Sequence, residues 1–362
     1  MSITVVQWTS GGVARETIKA IVSHPDLELV GLYAYSAEKV GMDAGELAGI
    51  APLGIAASND IDALIALQPD CVSYSPLYPD INELERILRA GINVVTTCNF
   101  MNGWGLDFNA ERFGANARAR LHQAALDGNA SLFGTGINPG HINYLACVLT
   151  SVCEEVTHIQ VTEAVDVTHF VADPNIDAFG FGEPLGDDTL YERSKAESAV
   201  FGDALQVMAQ LMGLQLDEVR CSIDYAIASH DVQAPGKFIA SNTVGGVRLR
   251  WEGLVNNRPV LENQQIWTVG DIIEDSWKVD RGHHGYVVNI QGNPNIHNVM
   301  LPIPRGDIST MNHKDFNALG MRITGLPSIN AIAAVCAAAP GICTYNALPP
   351  VTARGRFRVD QA

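Results

Sequence analysis

The sequence predicts an α/β fold: an N-terminal Rossmann-type, doubly wound parallel sheet, then a C-terminal α+β domain built on a mostly antiparallel sheet. Residues 3–14 show a short apolar strand, a turn of small residues and the start of a helix. Strand and helix patterns alternate from there to about residue 141, which implies parallel strands joined by right-handed crossovers. Beyond that point, strand patterns joined by short turns dominate, which is typical of antiparallel pairing.

The first domain is predicted to contain six strands in two βαβαβ halves. After the strand that begins at Ile3, we expect strands at 27–35, 54–57, 71–74, 93–97 and 131–133, and helices over 61–67, 82–90 and 109–126. Ligands of such sheets bind beyond the carboxyl ends of the strands. The loops expected to form a site are therefore 9–12, 35–39, 74–80, 97–104 and 134–141.

The second domain is predicted to be mainly strands, at 156–167, 221–228, 247–255, 260–269, 286–291 and 296–301, with helices over 145–152 and 198–212 and a loop over 173–188. Asn256–Asn257 and Gly292–Asn293 are suited to hairpin turns. We therefore predict a dinucleotide-binding domain over 1–141, joined by a C-terminal helix within 320–345. A substrate-binding and dimerisation domain is predicted over 142–319.

Composition excludes several classes of protein. The 362 residues carry a net charge of −17, so a basic surface for nucleic acid is not expected. Seven cysteines without a C-x-x-C pair indicate reduced thiols in a cytoplasmic protein. His283–His284 have no carboxylate or cysteine neighbours at metal-ligand spacing, so no metal site is predicted. The start of the chain has no signal-peptide pattern, and the apolar stretch 329–339 is shorter than a membrane span, so no membrane partner is expected.

The turn after the first strand carries the pattern expected of a dinucleotide-binding loop. The fingerprint G-x-G-x-x-G/A reads here as Thr9-x-Gly11-x-x-Ala14, with threonine in place of the first glycine. Backbone N–H groups of such a turn and of the helix that follows can hold a pyrophosphate. The residues predicted to do so are Thr9, Ser10, Gly11, Gly12 and Val13.

The end of the second strand suggests NADP as the cofactor, with NAD as an alternative. An NAD-specific protein places an acid at the end of this strand, about 20 residues after the glycine turn. Here the strand ends Ala34-Tyr35-Ser36-Ala37-Glu38-Lys39, and no acid stands at that place. Ser36 and Lys39 could hold a 2′-phosphate, although both could equally be exposed loop residues. Further cofactor contacts are predicted from the other strand-end loops, at Ser75, Pro76, Thr97, Cys98, Asn138 and Pro139.

Two residues are candidates for acid–base chemistry. His141 follows the Gly- and Pro-rich loop 134–140, and an imidazole is a suitable proton donor near neutral pH. Glu163 lies on the strand face of Ile159 and Val161, where a carboxylate either is paired or lines a pocket. A structural histidine and a salt-bridged glutamate remain the alternatives.

Five segments resemble the dihydrodipicolinate-reductase-like group, which contains 2,4-diaminopentanoate dehydrogenases and native amine dehydrogenases. They are residues 5–8, 39–49, 134–140, 180–184 and 330–341. The resemblance implies an NAD(P)(H)-dependent enzyme, usually a homodimer, that holds a small-molecule substrate between its domains. It does not extend to true dihydrodipicolinate reductases, because their His-His-x-x-Lys motif and Pro-Ser-Gly-Thr loop are missing.

The segment after the fifth strand departs from this group. The resemblance places a catalytic glutamate there, in a Thr-Cys-Glu-Glu-like sequence, whereas this chain has Thr97-Cys98-Asn99-Phe100. Asparagine forms hydrogen bonds but does not accept a proton at neutral pH. The activity expected is hydride transfer to a small C=N or C=O substrate, nearest to that of an amine dehydrogenase. A carbonyl reductase or alcohol dehydrogenase, or a non-catalytic dinucleotide sensor, remains the alternative; the expected catalytic residues are His141, Glu163 and Asn99.

Overall fold

The chain is divided into two structural units. The computed structural model describes residues 2–186, 188–270, 277 and 284–357. Unit 1 comprises Met1–His141 and Ala318–Ala362, and unit 2 comprises Ile142–Asn317.

Unit 1 is built on a seven-stranded sheet in which every pair of neighbouring strands is parallel. Its strands are β1 (Ile3–Trp8), β2 (Leu27–Tyr33), β3 (Ala57–Ser58), β4 (Cys71–Tyr74), β5 (Asn93–Thr96), β6 (Ser131–Gly134) and β15 (Gly341–Cys343). Its helices are α1 (Gly12–Val22), α2 (Ala44–Ala48), α3 (Ile61–Ala66), α4 (Ile81–Arg89), α5 (Trp104–Phe108), α6 (Ala110–Phe113) and α7 (Ala117–Asp127), with most of α12 (His313–Cys336). The strand order β15-β6-β5-β4-β1-β2-β3 reverses direction between β1 and β4, which is where doubly wound sheets bind their ligands.

The apolar pattern explains why β1 and β4 are central. Val5, Val6 and Trp8 are all buried, as are Val72 and Tyr74, so both faces of these strands are covered. Near-continuous apolar runs are typical of parallel strands packed between two helical layers. The middle of the sheet thereby fixes the loops that follow it.

Unit 2 is built on a six-stranded sheet of order β14-β13-β7-β12-β11-β8. Its strands are β7 (Glu155–Asp166), β8 (Glu218–Ile227), β11 (Val244–Val255), β12 (Arg258–Thr268), β13 (His284–Asn293) and β14 (Ile296–Met300), and β9 (Val232–Ala234) pairs with β10 (Lys237–Ile239) apart from it. Its helices are α8 (Ile142–Leu149), α9 (Pro174–Asp177), α10 (Asp188–Glu197) and α11 (Ala199–Met212). Among these described strands only β7 and β12 pair in parallel, so the predicted fold class is confirmed in both parts.

Several predicted elements were wrong in detail. The helix predicted over 109–126 is divided into α6 and α7, because Gly114 and Asn116 take φ values of 85° and 59° that end a helical turn. Part of the segment expected as a helix over 320–345 is instead the seventh strand β15, and α10 covers residues expected to form no helix. The turn predicted at Asn256–Asn257 is present, with left-handed φ values of 51° and 61°, whereas Gly292–Asn293 belongs to β13.

Helix α12 is long and apolar enough, by composition alone, to cross a membrane. In unit 1, α12 packs its side chains Ile329, Ile332 and Val335 into the interior, where they are fully buried. Arg322 on its exposed side donates to the buried Glu16 of α1 at 2.8 Å. Burial of these three side chains in unit 1 accounts for the apolar residues on this face of α12.

Candidate functional site at the edge of the parallel sheet

The loops predicted to form a site lie side by side at one edge of the sheet of unit 1. A row of backbone hydrogen bonds connects the ends of neighbouring strands. The bonds run from Thr9 N to Tyr33 O (3.0 Å), from Ser75 N to Trp8 O (3.2 Å), from Thr97 N to Tyr74 O (3.3 Å) and from Thr135 N to Thr96 O (2.9 Å). The loops after β1, β2, β4, β5 and β6 therefore share one edge.

Thr9 takes the backbone conformation of the glycine that it replaces. Its φ is +83°, in the left-handed region where a non-glycine residue costs about 1–2 kcal/mol. Its hydroxyl donates to Ser75 O at 3.1 Å, which ties the loop after β1 to the loop after β4. Thr9 therefore adopts a left-handed conformation that glycine takes more readily.

The N-terminus of α1 is free to bind an anion. Gly11 is its N-cap, and no side chain caps the first N–H groups within the part of the chain that the structure describes. The first turn, Gly12–Arg15, holds no acid, and the exposed Arg15 adds a positive charge. A Cβ placed on Gly11 would meet no atom within 4 Å, so a ligand can approach the backbone there. N–H donors, helix dipole and open space together suit a phosphate group.

Ser75 adds a second donor near this turn. Its hydroxyl oxygen is buried and makes no hydrogen bond to any of the described residues. A buried polar atom without a partner costs about 1–3 kcal/mol, so such atoms commonly await a ligand or water. Pro76 follows it and is half-buried. The residues present therefore fit the polar half of a dinucleotide.

The loop after β2 presents Ser36 and Lys39 at the expected place. Both are half-buried, and Lys39 closes a helical turn by donating its N–H to Ser36 O at 3.0 Å. The segment beyond is held by Asp43, whose carboxylate accepts hydrogen bonds from the backbone N–H groups of Gly45, Glu46, Leu53 and Gly54. These donors hold the pKa of Asp43 below its usual value. These hydrogen bonds hold residues 43–46 against residues 53–54, just after the loop that bears Ser36.

The segment after β5 places Thr97, Cys98 and Asn99 at the same edge. Burial raises the pKa of the Cys98 thiol, so it stays protonated and is a poor nucleophile at neutral pH. The backbone N–H of Asn99 lies within hydrogen-bonding reach of that sulfur, and the Asn99 residue is half-buried. In place of a carboxylate this segment therefore offers a neutral amide.

The loop after β6 ends in an irregular turn, Ile137–His141, in which Asn138 and Pro139 are extended and Gly140 has a φ of +134°. His141 N donates to Gly136 O at 2.8 Å, which closes the turn. Burial lowers the pKa of His141 below its usual value of 6.5, so the imidazole is mainly neutral at pH 7. A neutral imidazole can still donate one hydrogen bond and accept another.

Glu163 lies on β7 of unit 2, whereas His141 belongs to unit 1. Glu163 shares its strand face with the buried Ile159 and Val161, as the period-two pattern predicts, but the Glu163 side chain is itself half-buried. Trp267 Nε1 donates to Glu163 Oε1 at 3.4 Å. Tyr286 stands opposite Glu163 in the register, and burial together with the Glu163 charge raises the pKa of that phenol.

One group at the sheet edge was missed from the sequence. Glu83, in the first turn of α4, accepts hydrogen bonds on Oε2 from Trp8 Nε1 (3.3 Å), the Tyr35 hydroxyl (2.7 Å) and the Tyr74 hydroxyl (3.0 Å). The three donors end or follow β1, β2 and β4, so no local pattern connects them. The weak signal available was an acid three residues after the N-cap Asp80 of an otherwise amphipathic helix.

Among the described residues, no three His, Cys, Asp or Glu side chains lie close enough together to hold a metal ion. His283, one of the two adjacent histidines, lies outside the described residues.

Comparisons with known proteins point to one group. The chain is 27% identical over 306 residues to an amine dehydrogenase from Streptomyces virginiae, covering 81% of this chain and 83% of that protein. A stretch of 63 residues is 43% identical to a 4-hydroxy-tetrahydrodipicolinate reductase from Synechococcus elongatus, but it covers only 17% of this chain and 23% of that enzyme. No family model matches the chain.

The fold has a similar solved structure over its full length. The amine dehydrogenase from Mycobacterium smegmatis superposes with a TM-score of 0.78 at 19% identity, covering 99% of both chains. These similarities confirm the resemblance to the dihydrodipicolinate-reductase-like group that contains the amine dehydrogenases, and the solved structure shows that the chain shares its fold with an amine dehydrogenase.

Proposed function

We propose that this protein passes hydride between nicotinamide C4 and a small C=N or C=O substrate, with amine dehydrogenase as the nearest named activity. The observation that carries the proposal is the uncapped N-terminus of α1 beside the open space over Gly11. The similarity to the Streptomyces virginiae amine dehydrogenase over most of both chains supports the same chemistry. When bound, the nicotinamide cofactor supplies the hydride, and the protein supplies orientation and proton handling.

The cofactor would be held by the residues at the sheet edge. Backbone N–H groups of Gly12 and Val13, with the buried hydroxyl of Ser75, are donors for its pyrophosphate and ribose groups. Ser36 and Lys39 offer a hydroxyl and a cation where a 2′-phosphate would need them. We therefore propose NADPH as the preferred cofactor and NADH as the weaker one.

The choice between amine and carbonyl chemistry depends on Asn99. Amine dehydrogenases of this group, by the resemblance, use a glutamate at this place to handle ammonia, and an amide cannot take up a proton at neutral pH. Reduction of a carbonyl instead requires a proton donor beside the developing alkoxide. Asn99 therefore favours carbonyl reduction or alcohol oxidation as the second candidate activity.

His141 is the proposed proton donor, and Glu163 is proposed to bind a substrate cation or to be the alternative acid. His141 stands in the loop after β6, at the ligand-binding edge of the sheet. Its lowered pKa means that protonated His141 becomes more abundant as the pH falls below 6.5. If Glu163 instead handles the ammonia proton, Glu163→Gln abolishes ammonia-dependent turnover and the enzyme is an amine dehydrogenase.

One screen separates the candidate functions. Consumption of NADPH is followed with a panel of small aldehydes and ketones, each with and without ammonium chloride. Turnover only with ammonia indicates reductive amination, and equal turnover in both conditions indicates carbonyl reduction. Tight NADPH binding without turnover on any member of the panel indicates a dinucleotide sensor, the alternative that the departures at Thr9 and Asn99 leave open.

We also propose a homodimer formed largely through the sheet of unit 2, in the cytoplasm. Edge strand β14 and its continuation expose a row of apolar side chains, Val299, Leu301 and Ile303, each more than half exposed. An exposed edge strand with an apolar row is a common site of association. A second copy of the chain would cover it.

A further inference from the structure

Four aromatic rings at the edge of the sheet are in contact with one another, and together with Glu83 they are called the aromatic cluster. Trp8 and Tyr33 stack at 4.3 Å between ring centroids with an interplanar angle of 11°. Tyr33 meets Tyr35 edge to face at 4.8 Å, and Trp8 also stacks on Tyr74 at 6.2 Å. The cluster therefore extends from the interior of the sheet to its surface.

Tyr35 differs from the rest of the aromatic cluster because its ring is exposed. It is 51% exposed, whereas Trp8, Tyr33 and Tyr74 are at most 6% exposed. Its hydroxyl is nevertheless fixed by the 2.7 Å hydrogen bond to Glu83 Oε2. Burial and this bond raise the pKa of Tyr35, so the hydroxyl remains a donor throughout the working pH range. An exposed ring that is already immobilised loses little conformational entropy when a ligand covers it.

Tyr35 lies in the loop where a doubly wound sheet binds the adenosine half of a dinucleotide. It directly precedes Ser36 in the loop after β2, and Glu83 belongs to the helix that follows β4. In doubly wound sheets the adenosine ribose is held at the end of the second strand, while the pyrophosphate lies at the first turn. The base attached to that ribose must therefore lie near the loops after β2 and β4, where the Tyr35 ring is exposed.

We propose that the Tyr35 ring is the platform on which the adenine of the cofactor stacks, and that Glu83 is a positioning residue that holds this ring through its hydroxyl. The proposal rests on the proposed function, because it requires a dinucleotide at this edge. Stacking of a base on an aromatic ring does not depend on the 2′-phosphate. Tyr35 should therefore contribute equally to NADPH and NADH, in contrast to Ser36 and Lys39.

The test measures binding of three probes to the full-length protein by calorimetric titration: NADPH, NADH and reduced nicotinamide mononucleotide, which lacks adenosine. Tyr35→Ala is expected to weaken NADPH and NADH about tenfold each, equivalent to about 1.4 kcal/mol. Binding of the mononucleotide should be unchanged. Phe357→Ala removes another highly exposed ring of unit 1 and serves as the matched control, with no expected change.

A double-mutant cycle tests the role of Glu83. Glu83→Gln and Tyr35→Phe should each weaken NADPH about two- to threefold, and Glu83→Gln should have no further effect in the Tyr35→Phe background, because the hydrogen bond that transmits its effect is already lost. Additive effects would overturn the positioning role.

The remaining outcomes separate the platform from the proposed function. Equal losses for NADPH and the mononucleotide in Tyr35→Ala, or no loss for either dinucleotide, would overturn the platform alone. A parent protein that binds neither dinucleotide would overturn the proposed function and the platform together. Thermal unfolding of each variant identifies any loss of affinity that comes from unfolding.

Discussion

Substitution of Gly11 by serine should leave the fold stable while weakening dinucleotide binding. Gly11 has a φ of −74° and a ψ of −170°, an extended conformation that any residue adopts, and a Cβ there meets no atom within 4 Å. Serine is among the preferred N-cap residues and differs from glycine by only a few tenths of a kcal/mol. We therefore expect Gly11→Ser to change the free energy of unfolding by no more than about 0.5 kcal/mol.

The affinity should change far more than the stability. The added side chain would extend into the open space at Gly11, next to the N–H groups of Gly12 and Val13 to which we propose that a phosphate binds. A hydrogen bond to a charged group contributes about 1.5–3 kcal/mol, so loss of one such bond weakens NADPH binding roughly ten- to a hundredfold. Gly11→Ala should weaken NADPH binding to the same extent, which would show that the Cβ and not the serine hydroxyl is responsible.

Thermal unfolding and NADPH titration of the same preparations measure the two quantities. Gly134→Ala is the contrasting variant, because its Cβ would lie 2.0 Å from Phe100 O, inside the packed end of β6, and should lower the melting temperature. Unchanged NADPH affinity in both Gly11 variants would refute the placement of the phosphate at this turn. A large loss of stability in Gly11→Ser would refute the description of an open N-cap.

Four further predictions concern the site and its supports. NADPH should bind more tightly than NADH, and replacing Ser36 and Lys39 by alanine should weaken only NADPH; titration that shows NADH preferred contradicts this. His141→Phe should lower turnover about a hundredfold without changing the affinity for NADPH, and the rate of carbonyl reduction by the parent protein should rise as the pH falls below 6.5. If His141→Phe retains its turnover and Glu163→Gln loses its ammonia-dependent activity, the acid is Glu163 and not His141. Light scattering should give about twice 38.9 kDa at micromolar concentration, and a mass of 38.9 kDa would exclude the dimer. Asp43→Asn should lower the melting temperature at pH 7. Because folding lowers the pKa of Asp43, the difference in melting temperature between the variant and the parent should shrink as the pH falls below about 4. A difference that does not change with pH would show that the carboxylate charge is not involved.

The sequence by itself determined the class of fold and predicted the edge that carries the candidate site. Alternating apolar periods are local properties, so Ile3–Trp8 and Gly12–Val22 could be recognised as strand and helix from their own residues. Parallel strands place all their carboxyl ends at one edge, so the strand pattern alone was enough to group loops that are distant in sequence. Asn99 could likewise be recognised as a departure because the resemblance supplies the residue expected there.

Tertiary structure alone decided the features that depend on several distant segments. Strand β15 has three residues, too few to show a period, and it forms only because β6 offers a free edge. The left-handed φ of Thr9 is compensated by a hydrogen bond to Ser75, 66 positions away. Glu83 meets its three donors from three different strand ends, and a carboxylate can be buried only where such donors converge. No pattern along the chain encodes that convergence, because it is created by the order of the strands in the sheet.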